Sequence, residues 1–221
     1  MRKIVVEFIG TFFLVLVVGM CVVKASTEGA APLANLEHAL FSDLAPVAIG
    51  STLMIMVYAG GHISGGYYNP AVTIGAWIRG KCLTSDVVPY IVAQIIAGLL
   101  AAGLTLYLKG FPDVQPITPK IGPALVAEFL FTFALVYVVL QTATTKATAG
   151  NSYYGLAIGF TILCGAYAVG DISGGAFNPA VAIGITTMGV SSWENIWIFF
   201  VAELLGAIAA AYTFKSLVRE T

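Results

Sequence analysis

Charge is scarce in this chain. Of its 221 residues only 10% are Asp, Glu, Lys or Arg, where soluble domains carry about 25%. Ten basic and eleven acidic side chains leave a net charge of −1. A nucleic-acid binder needs a concentrated basic face, so that partner class is excluded. Histidine is scarcer still, with His38 and His62 alone, and Cys21, Cys82 and Cys164 stand far apart with no Cys-x-x-Cys pair. That spacing argues against a zinc site or a disulfide framework and leaves thiols that simply pack. Paired acids in a polar cleft and a phosphate loop are missing as well, so the chain is expected to be no enzyme and to use no metal or cofactor.

What is abundant is apolar surface. Hydrophobic residues make up 59% of the chain, and the mean hydropathy is +0.93. Neither disorder nor a soluble globule of this size accommodates that composition, so the expected solvent is a lipid bilayer. Apolar runs long enough to span it cover residues 4–23, 44–61, 87–108, 124–144, 153–170 and 193–217. The first is too long and too poorly followed by a cleavage signal to be a signal peptide. Two further runs, 69–78 and 178–188, are short. At 1.5 Å per residue each reaches only about half of a ~30 Å hydrocarbon core, so it can dip in but not cross. The glycine-rich backbone before it must then be buried in protein or line a wet cavity.

The chain repeats itself. Gly-His-Ile-Ser-Gly-Gly-Tyr-Tyr-Asn-Pro-Ala-Val at 61–72 returns 109 residues later as Gly-Asp-Ile-Ser-Gly-Gly-Ala-Phe-Asn-Pro-Ala-Val. Gln94 and Glu203 correspond at the same offset, and Glu7-Phe-Ile-Gly-Thr-Phe returns as Glu128-Phe-Leu-Phe-Thr-Phe, 121 residues on. Each half (about 4–109 and about 124–217) holds three spans and one half-helix. Three is odd, so the halves enter the membrane from opposite sides. With a cytoplasmic N-terminus, Arg2, Lys3, Arg79, Lys81, Lys146, Lys215 and Arg219 fall inside and Lys24, Lys109 and Lys120 outside. Seven against three predicts that both termini are cytoplasmic.

Each half-helix opens with an Asn-Pro-Ala box: Asn69, Pro70, Ala71 and Asn178, Pro179, Ala180. Proline is preset for a first helical turn, and Asn caps it while offering its amide to a passing solute. Inserted from opposite faces, the two positive helix ends meet near mid-membrane. The loops leading in, with Gly65, Gly66, Tyr67, Tyr68, Gly174, Gly175, Ala176 and Phe177, are expected to line the path. Such a path suits neutral hydrogen-bonding molecules and repels cations.

On these motifs the chain resembles the aquaporins, the major intrinsic proteins. The resemblance runs over nearly all of residues 1–221, read as a single channel domain. It implies an all-α membrane bundle of six transmembrane helices and two re-entrant half-helices, assembled as a homotetramer in the plasma or inner cell membrane. It implies that Glu7 and Glu128 hold the half-helix loops, with His62 bracing its own loop and His38 solvated. It also places four selectivity-filter positions, at Ile49, Ala166, Gly175 and Val181. The last is usually Arg in the family. An Ile, Ala, Gly and Val set is wider and greasier than a water filter, and the Asp of the glycerol facilitators is replaced by Ala182. Water, glycerol-like polyols and neutral metalloid acids are therefore the expected cargo. Three alternatives stand beside this reading: a strictly water-selective pore narrowed by Tyr67 or Tyr167, a coupled transporter, and a closed pore plugged by Tyr67. Gly10, Gly98, Gly103, Gly159 and Gly206 are expected to allow close helix crossings.

Overall fold

The computed structural model describes residues 1–24 and 43–218; His38 lies outside them. Six long helices appear where the apolar runs predict them: α1 (Arg2–Val22), α2 (Ala45–Ser64), α4 (Thr84–Leu108), α5 (Ile121–Ala143), α6 (Tyr154–Ser173) and α8 (Ile196–Leu217). Two nine-residue helices, α3 (Pro70–Ile78) and α7 (Pro179–Thr187), are the half-helices. Among the described residues six helices are long and apolar enough to cross a membrane. Their outward faces carry Val88, Leu100, Leu130, Phe160 and Leu205, which is the surface a bilayer requires.

Helix ends follow local chemistry. The second run extends past its expected end because Ser64 continues the helix to Gly65, whose φ of 100° provides a left-handed cap. Gly174 ends α6 in the same way. Helix α5 starts before Pro123 rather than after it, since a proline in the first turn forfeits no hydrogen bond.

The two halves pack as mirror partners about a pseudo-two-fold axis. Helix α1 lies against α2 and α4, as α5 lies against α6 and α8. The half-helices cross over: α3 of the first half packs on α8 of the second, and α7 of the second on α4 of the first. Helices α2 and α6 cross at the axis, where a Cβ on Gly50 would stand 2.7 Å from the Gly159 carbonyl oxygen. At Gly98 an added Cβ would stand 2.7 Å from the Ala180 carbonyl oxygen, which sets how closely α7 approaches α4. Gly206 meets the Phe129 carbonyl similarly, and Gly10 meets the Tyr68 ring. Gly103 is the exception: it is exposed, and an added Cβ would meet nothing within 4 Å among the described residues.

Lys3 and Asp86 pair at 3.0 Å, bringing the first turns of α1 and α4 to one end of the bundle. Lys215 reaches the Ile78 carbonyl, and the Arg79 guanidinium lies 4.8 Å from the centre of the Phe214 ring. Lys3, Arg79 and Lys215 thus lie toward one end of the bundle, while Arg219 falls outside the described residues.

Candidate functional site

Two loops meet at the centre of the bundle. Each descends from its glycine cap through an unusual backbone. Gly65, Gly66 and Tyr68 have φ of 100°, 64° and 50°; Gly174, Gly175 and Phe177 have 100°, 63° and 48°. Left-handed geometry is strained at Tyr68 and Phe177. A buried carboxylate holds each loop in it. Glu7 Oε1 accepts from the Ser64 hydroxyl at 2.6 Å and the Tyr67 N–H at 3.0 Å, and its Oε2 from the Tyr68 N–H at 2.7 Å. Glu128 repeats this with Ser173 (2.6 Å), Ala176 (3.1 Å) and Phe177 (2.8 Å).

The strained turn delivers Asn69 and Asn178 to the half-helix N-termini. Asn69 Oδ1 accepts from the Ala71 N–H at 2.8 Å, and Asn178 Oδ1 from the Ala180 N–H at 2.9 Å. Each Nδ2 then donates across the axis. Asn69 reaches the Phe177 carbonyl, and Asn178 the Tyr68 carbonyl, both at 2.9 Å. An amide carries two N–H donors, so one remains on each Asn, and both residues line the same cavity. Pro70, Ala71, Pro179 and Ala180 are buried in the first turns behind them.

That cavity, at the end expected to face outward, has a volume of about 390 Å³. Ile49, Ala166, Gly175 and Val181 all lie on its wall, with Gly66, Tyr67, Gly174 and Ala176. Among the described residues Asp171 is the one ionisable lining side chain apart from the tyrosine, and the rest is largely aliphatic. A second cavity of about 560 Å³ opens at the other end, beside His62, Lys81 and Lys146.

Several expected roles change. Tyr68 and Phe177 do not line the path. Their left-handed backbone turns both rings inward to full burial, Tyr68 between Gly10 and Gly60 with its hydroxyl on the Met56 carbonyl, and Phe177 against Phe131. Only their carbonyls serve the centre. Gly65 lines the second cavity rather than the first. His62 is exposed on that cavity's wall and makes no hydrogen bond among the described residues, whereas Ser64 bonds Glu7 and its Oγ also accepts the Gly66 N–H at 3.0 Å. Tyr167 stays outside the path, its hydroxyl on the Asp43 carbonyl at 3.0 Å. Ser64 and Ser173 stand at matched positions in both repeat copies, a signal that sequence reading passed over.

Gln94 and Glu203, whose roles the sequence left open, support the loops from the third span of each half. Gln94 Nε2 donates to Glu7 Oε2 at 2.8 Å and to Thr73 at 3.0 Å. Glu203 Oε1 accepts the Asn178 N–H at 2.9 Å. Its Oε2 is buried facing the Glu128 carboxylate, and no N–H or neutral hydroxyl of the described residues donates to it. Glu203→Gln supplies the N–H that Gln94 supplies in the first half. The expected result is a folded channel stabilised by about 1 kcal/mol, read as a higher Tm in detergent; a lower Tm would show that Oε2 already has a partner.

A membrane-embedded bundle with two opposed half-helices meeting at paired Asn amides defines a class, the transmembrane channel for water and small neutral solutes. The family model for the major intrinsic proteins matches residues 1–214. The chain belongs to that family. It is 33% identical to Aquaporin NIP1-1 of Zea mays, over 100% of this chain and 76% of that one. It is 34% identical to Nodulin-26 of Glycine max, over 100% and 79%, and 31% identical to Aquaporin Z of Photorhabdus laumondii, over 100% and 99%. The solved aquaglyceroporin of Plasmodium falciparum superposes with a TM-score of 0.76 at 19% identity, covering 98% of this chain and 96% of that one, and shares the fold.

Proposed function

We propose that the chain is a passive channel whose outer ring, Ile49, Ala166, Gly175 and Val181, admits neutral solutes larger than water, of the size of glycerol or an undissociated metalloid acid. The observation that carries this is the roomy, aliphatic outer cavity, where Val181 presents no guanidinium. The hydrogen-bonding work falls to the free N–H of Asn69 and Asn178 and to the loop backbone. Cation exclusion rests on the two converging half-helix dipoles. This is conduction without chemistry, so no catalytic residue is assigned. Family membership supports one channel domain over residues 1–221 and a homotetramer in the plasma or inner cell membrane. The clustering of Lys3, Arg79 and Lys215 at one end supports cytoplasmic termini. Among the described residues the cavity walls carry no evident proton or sodium relay, which favours a channel over a coupled transporter.

The test is stopped-flow light scattering on proteoliposomes, comparing water with glycerol, urea and arsenite. Wild type is expected to pass water and at least one larger solute. Val181→Arg narrows the ring and adds a strongly hydrated donor, so the larger-solute flux should fall more than the water flux. Wild type passing water alone, or an unchanged flux ratio in Val181→Arg, would defeat the assigned filter.

A further inference from the structure

The inverted repeat pairs every residue around the path with a partner at the opposite end. The offsets of 109 and 121 relate Ile49 to Ile158, Gly175 to Gly66, and Val18 to Val139. These pairs are identical in type. Other pairs differ: Ala45 answers Tyr154, Ala166 answers Val57, and Ala176 on the outer side answers Tyr67, the one of these larger partners that lines both cavities. Val18, Ile49, Gly175 and Ala176, the outer counterparts of Val139, Ile158, Gly66 and Tyr67, all lie on the wall of the outer cavity, beside the filter residues Ala166 and Val181. The inner ring is where the two cavities abut, since Gly66, Tyr67, Val139 and Ile158 line both. The inner ring and its outer counterparts differ by one side chain, a phenol against a methyl.

That phenol is fixed in place. Its hydroxyl donates to the Lys81 carbonyl at 3.1 Å, and its N–H is held by Glu7. A Cβ on Gly65 would stand 2.8 Å from the ring, and the Tyr90 ring centre lies 6.0 Å away. Tyr67 is 8% exposed. A side chain so restrained cannot swing aside as a solute passes.

We propose that Tyr67 is the size-determining residue of the channel, and that the narrowest point is the inner collar of Gly66, Tyr67, Val139 and Ile158, not the outer filter ring. The proposal rests on the channel reading and adds an upper limit to it. The outer cavity receives a neutral solute, and the collar decides whether it reaches the inner vestibule.

Tyr67→Ala converts the inner ring into a copy of its outer counterparts. Ala176 already occupies the matching position in the second loop, so the backbone tolerates the change, and the Glu7 contact to the N–H is retained. The experiment measures permeability to water and to polyols of increasing length in proteoliposomes of wild type, Tyr67→Ala and Tyr67→Phe. Relief of one or more steric overlaps predicts that the ratio of polyol to water permeability rises by about tenfold in Tyr67→Ala, for the first polyol wild type excludes. Tyr67→Phe keeps the ring and should shift the ratio far less. Should Tyr67→Ala fail to give monodisperse protein, Val139→Ala opens the same ring from the opposite wall and is expected to move the ratio the same way. A folded Tyr67→Ala channel with the wild-type polyol series overturns the collar while leaving the channel reading intact. Absence of water flux in both wild type and Tyr67→Ala overturns the channel reading itself.

Discussion

Glu128→Ala is expected to abolish the folded channel. The substitution strips an acceptor from the Ser173 hydroxyl and from the Ala176 and Phe177 N–H groups, all buried. Each donor left unpaired costs about 1–3 kcal/mol, and the left-handed turn at Phe177 loses the contacts that hold it against its strain. The total is a large share of the ~5–15 kcal/mol that stabilises a typical domain. Fluorescence-detected gel filtration should show loss of the monodisperse peak, with Glu128→Gln intermediate because it retains one acceptor oxygen. A monodisperse Glu128→Ala protein with wild-type Tm would mean that packing alone holds the loop. Glu7→Ala is expected to behave alike, since Glu7 holds the same three groups in the first half and takes the Gln94 amide besides.

The second large effect is expected at the Asn pair. Asn178→Ala removes the cap of α7, worth about 0.5–2 kcal/mol, and leaves the Tyr68 carbonyl without its cross-axis donor. It also removes the N–H that remains for a solute. Water permeability per folded channel is expected to fall at least about tenfold, which corresponds to ~1.4 kcal/mol on the barrier. Asn178→Asp separates the two roles: it keeps an oxygen for the Ala180 N–H but has no donor for Tyr68 or the solute. It should therefore retain more stability than Asn178→Ala while conducting as poorly. Tm and stopped-flow measurements on the two variants decide this. Normal conduction by folded Asn178→Ala would remove Asn178 from the conduction path.

The sequence reading reached the architecture because lipid imposes a coarse and strict code. Spans must be apolar over their whole length, and a run too short to cross must be buried as a half-helix. The near-identical boxes at Asn69 and Asn178 then gave the two-fold relation. Side-chain direction inside the loops was out of reach. Tyr68 and Phe177 sit one residue from Tyr67 and Ala176, and a left-handed φ decides which of each pair faces the path. No composition or periodicity signal reports that angle. His62, whose repeat partner Asp171 shares only its polarity, faces the second cavity, while the loop contacts are made by Ser64, whose signal is its exact recurrence at Ser173. Tyr167 failed as a pore candidate because helical position sets which way a ring points, and at this position it points to Asp43.

The crossing of α3 onto α8 and of α7 onto α4 has a consequence for biogenesis. When the first half of the chain leaves the ribosome, α3 has α4 beside it, through Gln94 and Thr73, but not α8, its larger seat, which has not been synthesised. Its glycine-rich loop and capping amide must wait in a half-built membrane intermediate until the last span is inserted. The amide of Asn69 likewise has no Phe177 carbonyl to bond until then. A nascent chain truncated after α4 is therefore an unfinished object rather than a smaller channel. Quality control can distinguish it by the polar backbone it leaves exposed at the depth of the lipid tails.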